Sequence, residues 1–201
     1  MNHMVDFRRA WPAYVAAVAV FSLPMPLAAH EGGSVAGLVS GLYHPISGLD
    51  HVLAMVAVGI WGAQLGAPAI WVLPVTFPMV MALGGMMGLL GFSLPGVELG
   101  IGASALLLGL MVAFEKKPDL RLAAALVGFF AIFHGFAHGA ELQVGESGLT
   151  YSIGFVACTG SLHAVGIGLG LAHRWRRGRR ALRVAGGAIA LAGAWFLWKA
   201  L

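Results

Sequence analysis

The chain has 201 residues, 59% of them hydrophobic and 10% charged, with a formal charge of +4. A soluble domain carries about 25% charged residues, so this chain cannot cover a soluble surface, and its main solvent is lipid. The charge does not point to nucleic acid, because six of the twelve basic residues fall in one run, Arg174 to Arg183; the single cysteine, Cys158, excludes an intrachain disulfide framework and a CxxC metal site.

Residues 1–29 read as a secretory signal. Arg8 and Arg9 form a basic n-region, an apolar run follows from about Ala10 to Leu23, and Pro24 and Pro26 break it before the small residues Ala28 and Ala29. Cleavage after Ala29 makes His30 the first mature residue. Its amino group and imidazole, with the Glu31 carboxylate, then form a candidate chelate for metal capture. Residues 30–201 are read as one domain.

The predicted fold class is all-α: a polytopic membrane bundle with six transmembrane helices after the signal. The spans fall at about 44–65, 68–91, 96–114, 120–142, 149–172 and 181–200, each near the ~20 residues that cross the hydrocarbon. Thirty glycines suit close approach of helix backbones in lipid.

The first span opens with HPISGLDH, residues 44–51, where Pro45 and Gly48 disfavour an uninterrupted helix. His44 and His51 are seven residues apart, roughly 10 Å on an ideal helix, too far to share one ion comfortably. A break at Pro45 and Gly48 would fold His44 back towards Asp50 and His51; otherwise His44 belongs to a separate entry site. In the second span the run MVMALGGMMG, residues 79–88, is read as packing rather than metal binding. Glu98 opens the third span and is read as solvated. EKKPDLR and HRWRRGRR follow the third and fifth spans, and the positive-inside rule puts both loops, 115–121 and 173–183, in the cytoplasm. The mature N-terminus is then periplasmic, as an exported signal also demands, and six spans put the C-terminus on the same side.

The fourth span ends in FHGFAHGAE, residues 133–141. His134, His138 and Glu141, spaced four and three apart, share one helix face. Counting spans puts this trio and the His44, Asp50, His51 group at the same outer depth. Ionisable groups in lipid cost some kcal/mol each unless paired or facing a polar cavity, and a divalent cation answers that cost. Mixed imidazole and carboxylate donors suit nickel, cobalt, zinc or iron rather than copper(I). Asp50 is either a ligand or the partner that orients His51. His163 in the fifth span is read first as a helix-to-helix hydrogen-bonding residue and second as a relay ligand.

The two motifs, H-P-x-x-G-x-D-H and F-H-G-x-A-H-G-x-E, together with TGSLH at 159–163, resemble the HupE/UreJ family of hydrogenase and urease accessory proteins, and neither motif departs from the family pattern. The resemblance covers nearly the whole chain. It implies a nickel permease, with cobalt in some members, that imports the ion across the bacterial inner membrane without ATP hydrolysis or a prosthetic group. It implies a functional link to hydrogenase or urease maturation. Its motif residues carry over to His44, Asp50, His51, His134, His138 and Glu141. The chief alternative is a membrane-embedded zinc-dependent hydrolase, which the lack of HExxH order disfavours. A proton relay without metal, a haem protein and a non-transporting metal sensor are further rivals.

Overall fold

The computed structural model describes residues 33–140 and 147–201. The predicted signal sequence, His30 and Glu141 lie outside the described residues. Everything with regular structure among the described residues is helical: α1 Gly33–Ser47, α2 Leu49–Leu65, α3 Ala69–Leu89, α4 Val97–Ala113, α5 Leu120–Ala140, α6 Gly148–Gly170, a short 3-10 turn Leu171–Arg174, and α7 Arg176–Ala200.

Helices α3, α5, α6 with its 3-10 extension, and α7 are each long and apolar enough to cross a membrane. The paired arms α1 and α2 meet at an 81° bend and amount to one broken span or a re-entrant loop, while α4 is apolar but shorter, at 17 residues. The first predicted span therefore needs correcting. Helix does not start near His44 but at Gly33, and the bend at Gly48 divides it.

The distribution of side chains is that of a protein dissolved in lipid. On α3, Leu73, Phe77 and Met81 are buried along one face, while Trp71, Val75, Met79, Leu83 and Met86 stand exposed on the other. Among the described residues the buried polar side chains are His51, Gln64, Ser104, His134, His138, Thr159 and His163. Trp175 lies before α7 and Trp198 near its end, separated by roughly 35 Å of helix rise, which matches aromatic residues placed at two membrane interfaces.

Glycine makes the tight pairings. Gly84, Gly88, Gly135 and Gly139 put α3 against α5 through backbone carbonyls; Gly102, Gly109, Gly186 and Gly193 bring the backbones of α4 and α7 into contact. Gly59 and Gly166 join α2 to α6, and Gly41 and Gly154 join α1 to α6. Within the run at 79–88, Met81 is buried and the glycines meet α5, while Met79, Leu83 and Met86 face outward. Exchanging α2, α3, α4 for α5, α6, α7 maps the α2–α6 pair onto α5–α3 and the α4–α7 pair onto itself. That is the pairing expected of two related three-helix halves.

Both basic loops lie at one end of the bundle. Arg179 pairs with Glu115 at 3.5 Å, and the Arg183 Nε–H donates to the Ala113 carbonyl at 3.1 Å. The Trp61 indole N–H donates to the Lys116 carbonyl at 2.9 Å, which straps the far end of α2 to the same loop. Asp119 caps α5 by accepting the Arg121 and Leu122 backbone N–H groups at 3.0 and 3.1 Å. His51, ten residues before Trp61, therefore sits roughly 15 Å from that end, in the opposite half of the bundle.

Candidate metal centre

On α5 one stripe is buried along its length: Ala123, Val127, Ala131, His134 and His138. Spacings of three and four residues keep it on one face, so the stripe that is apolar near the basic loops turns to imidazole at the other end. The α1–α2 break supplies the facing groups. Pro45 lies in the last turn of α1, and Gly48 is extended at φ −100, ψ 115 before α2 begins. The bend brings both His44 and His51 against one ring, that of His138. The centroid of His138 lies 4.6 Å from that of His44 and 4.0 Å from that of His51.

His51 then reaches His134. Their centroids are 4.4 Å apart, and His51 Nε2 and His134 Nδ1 are hydrogen-bonded at 3.0 Å. His134 Nε2 contacts Ser104 Oγ of α4 at 2.7 Å. Phe77 of α3 lies against His134 at 5.4 Å, and Phe155 of α6 against His138 at 4.5 Å. Six helices, all but α7, thus wall in four imidazoles. Neither ring nitrogen of His138 has a hydrogen-bond partner among the described residues.

Asp50 plays a different part. Its Oδ1 accepts the His51 backbone N–H at 2.8 Å and stands 3.6 Å from His51 Nδ1. The carboxylate sits on the Nδ1 side of His51, away from the nitrogen that faces His134. It also borders a cavity shared with Glu98 and Lys199.

His163 lies beyond Phe77, whose ring centroid is 5.7 Å away. The expected hydrogen bond to a neighbouring helix is missing: among the described residues neither of its ring nitrogens has a partner, nor does the Thr159 hydroxyl one turn earlier. Both side chains are about fully buried, at 1% exposure, so an unmet pair of polar groups sits on the face of α6 that continues from Phe155. Such groups are costly without a partner.

As they stand, no three or more His, Cys, Asp or Glu side chains among the described residues are arranged to hold a metal ion. The reason is visible in the rings. They pack edge to face, and the closest facing nitrogens, on His51 and His134, are joined by a hydrogen bond.

Four residues of the site carry no local signal in the sequence: Ser104, Phe77, Phe155 and Thr159. Each sits in an apolar helix at an ordinary core position. Only the helix pairings bring them to the histidines.

The HupE / UreJ protein family matches residues 18–196. The chain belongs to the HupE/UreJ family. Protein HupE of Rhizobium leguminosarum bv. viciae is 48% identical over 177 residues, which cover 88% of this chain and 93% of that relative. No solved structure matches. Both HupE/UreJ motifs read from the sequence fall inside the matched region. Their described histidines, His44, His51, His134 and His138, are those that the fold draws into one cluster.

Proposed function

We propose that this protein carries a divalent transition-metal ion, nickel first and cobalt second, across the bacterial inner membrane into the cytoplasm, as a secondary transporter or facilitated channel. The observation that carries this reading is the convergence of four imidazoles from α1, α2 and α5 inside a lipid-facing bundle. Family membership supports it. The ion is cargo, and no resident prosthetic group is part of the reading.

In this account the chain crosses the membrane six times. The α1–α2 pair makes one bent crossing, and α4 makes a short one. The end with the basic loops faces the cytoplasm, so the imidazole cluster lies in the periplasmic half and the C-terminus is periplasmic. A hydrated cation enters beside His44. It sheds water as His138 and then the His51–His134 pair supply nitrogens, with the rings turning so that their lone pairs converge. Asp50 steadies His51 by accepting its backbone N–H. Glu141, three residues past His138 in the sequence, adds a carboxylate to the ligand set. The ion then passes Phe77 to the His163 and Thr159 groups on α6, which offer the next polar stop on the cytoplasmic side. His30 serves periplasmic capture if the signal is removed after Ala29. Binding at each stop is weak enough to permit release, and the imported metal is available to hydrogenase or urease maturation.

The hydrolase alternative draws no support from the site or from the relatives. The test is flux. Purified protein in proteoliposomes, without ATP, is expected to let external nickel reach a metal-sensitive dye inside, at a rate that cobalt competes down. Dye response equal to that of empty liposomes would remove the transport reading.

A further inference from the structure

The contacts around Ser104 determine where hydrogens sit. Ser104 Oγ lies 2.7 Å from the Ile101 carbonyl oxygen and 2.7 Å from His134 Nε2. Each contact is short enough to require a hydrogen. The hydroxyl has one to give and the carbonyl has none. Ser104 therefore donates to Ile101, and the His134 Nε2–H donates to Ser104. In neutral His134, the form that binds metals, Nδ1 is then the bare nitrogen. It faces His51, whose Nε2–H donates to it at 3.0 Å.

We infer that Ser104 is a positioning residue for transport: its hydroxyl fixes the tautomer and ring plane of His134, so that Nδ1 is the nitrogen offered to the passing cation. This rests on the transport reading for its purpose, though not for its geometry. A histidine ligand almost always donates its second N–H to an outer group, which sets the orientation and basicity of the bound nitrogen. Here that group is a fully buried hydroxyl on α4, itself anchored to the helix backbone. A carboxylate in that place would put a further charge into the membrane interior; a hydroxyl does the same work without one.

Three variants of the full chain test it: Ser104→Thr, Ser104→Val and Ser104→Ala. Thr and Val have the same shape, so any packing cost is shared and only the hydroxyl differs. Nickel flux into proteoliposomes is expected to stay near that of the unaltered protein for Thr and to fall about 10–100-fold for Val and Ala. Nitrogen-15 spectra of histidine-labelled protein, recorded without metal, supply a readout that a packing role would not move. The unaltered protein should show His134 protonated on Nε2 and bare on Nδ1, and the Ala variant should show a mixture of both tautomers. Equal flux for Val and Thr, or His134 protonated on Nδ1 in the unaltered protein, would overturn the inference. If Thr and Val both fail to reach the membrane, the smaller Ala variant carries the comparison alone. Absence of flux in every variant and in the unaltered protein would count against transport, while the spectra would still decide the role of Ser104.

Discussion

Nickel uptake by cells that express His51→Ala is expected to fall by more than the about 10–100-fold typical of losing an outer-shell partner. His51 is the centre of the cluster. Its ring lies 4.0 Å from His138 and 4.4 Å from His134, it is hydrogen-bonded to the second, and Asp50 sits at its back. Truncation to a methyl group therefore removes one ligand and disconnects the others. It also leaves His134 Nδ1 buried without its partner. His173 provides the control. Its Nδ1–H donates to the Gly170 carbonyl at 2.8 Å, at the end of the bundle that carries the basic loops, and His173→Ala should leave uptake unchanged. Radioactive nickel accumulated per cell, normalised to protein in the membrane fraction, is the quantity to compare. Unaltered uptake in His51→Ala would contradict the assignment of the cluster.

Gly135→Ala is expected to prevent α3 and α5 from docking, at a cost at or above the ~3 kcal/mol upper end of ordinary overpacking. A Cβ at Gly135 would collide with the Met81 carbonyl, and one at Gly139 with the Gly85 carbonyl. Both obstacles are backbone, so neither can swing aside as a side chain tip would. Gly160 and Gly168 on α6 have nothing within 4 Å of the same added atom. At those positions alanine should be neutral or slightly stabilising, since a helical glycine costs about 1 kcal/mol relative to alanine. Thermal unfolding of detergent-purified protein separates the two classes. A Gly135→Ala variant that unfolds at the same temperature as the unaltered protein would show that α3 and α5 are not in backbone contact.

That prediction also shows what FHGFAHGAE conceals. Its histidine spacing is legible, because residues four apart must share a helix face. The glycines between them look like mere helix weakeners. In the fold they form a second stripe, turned towards α3, and they let that helix approach closely enough for Phe77 to lie against His134. HPISGLDH was legible in its chemistry and in its break at Gly48. The preceding helix Gly33–Ser47 was not, because GSVAGLVSGLY holds three glycines and two serines, weak helix formers; its backbone meets α6 where Gly41 contacts Tyr151 and Gly154 contacts Leu38. The sixth predicted span began at residue 181, yet α7 starts at Arg176, since arginines that face water prolong a helix beyond the apolar stretch. Ser104 is the clearest omission. A small hydroxyl residue in GASALLLG reads as a core spacer, and only the docking of α4 beside α5 gives it a partner.

The central claim is that imidazoles from α2 and α5 hold one ion together. Nickel-edge X-ray absorption of the purified protein, loaded with one equivalent of nickel, tests it most directly. The account predicts nitrogen and oxygen donors at about 2.0–2.1 Å, with the outer scattering of at least two imidazole rings, and loss of ring scattering in both His51→Ala and His134→Ala. A spectrum of oxygen donors alone, the same in all three proteins, would contradict it.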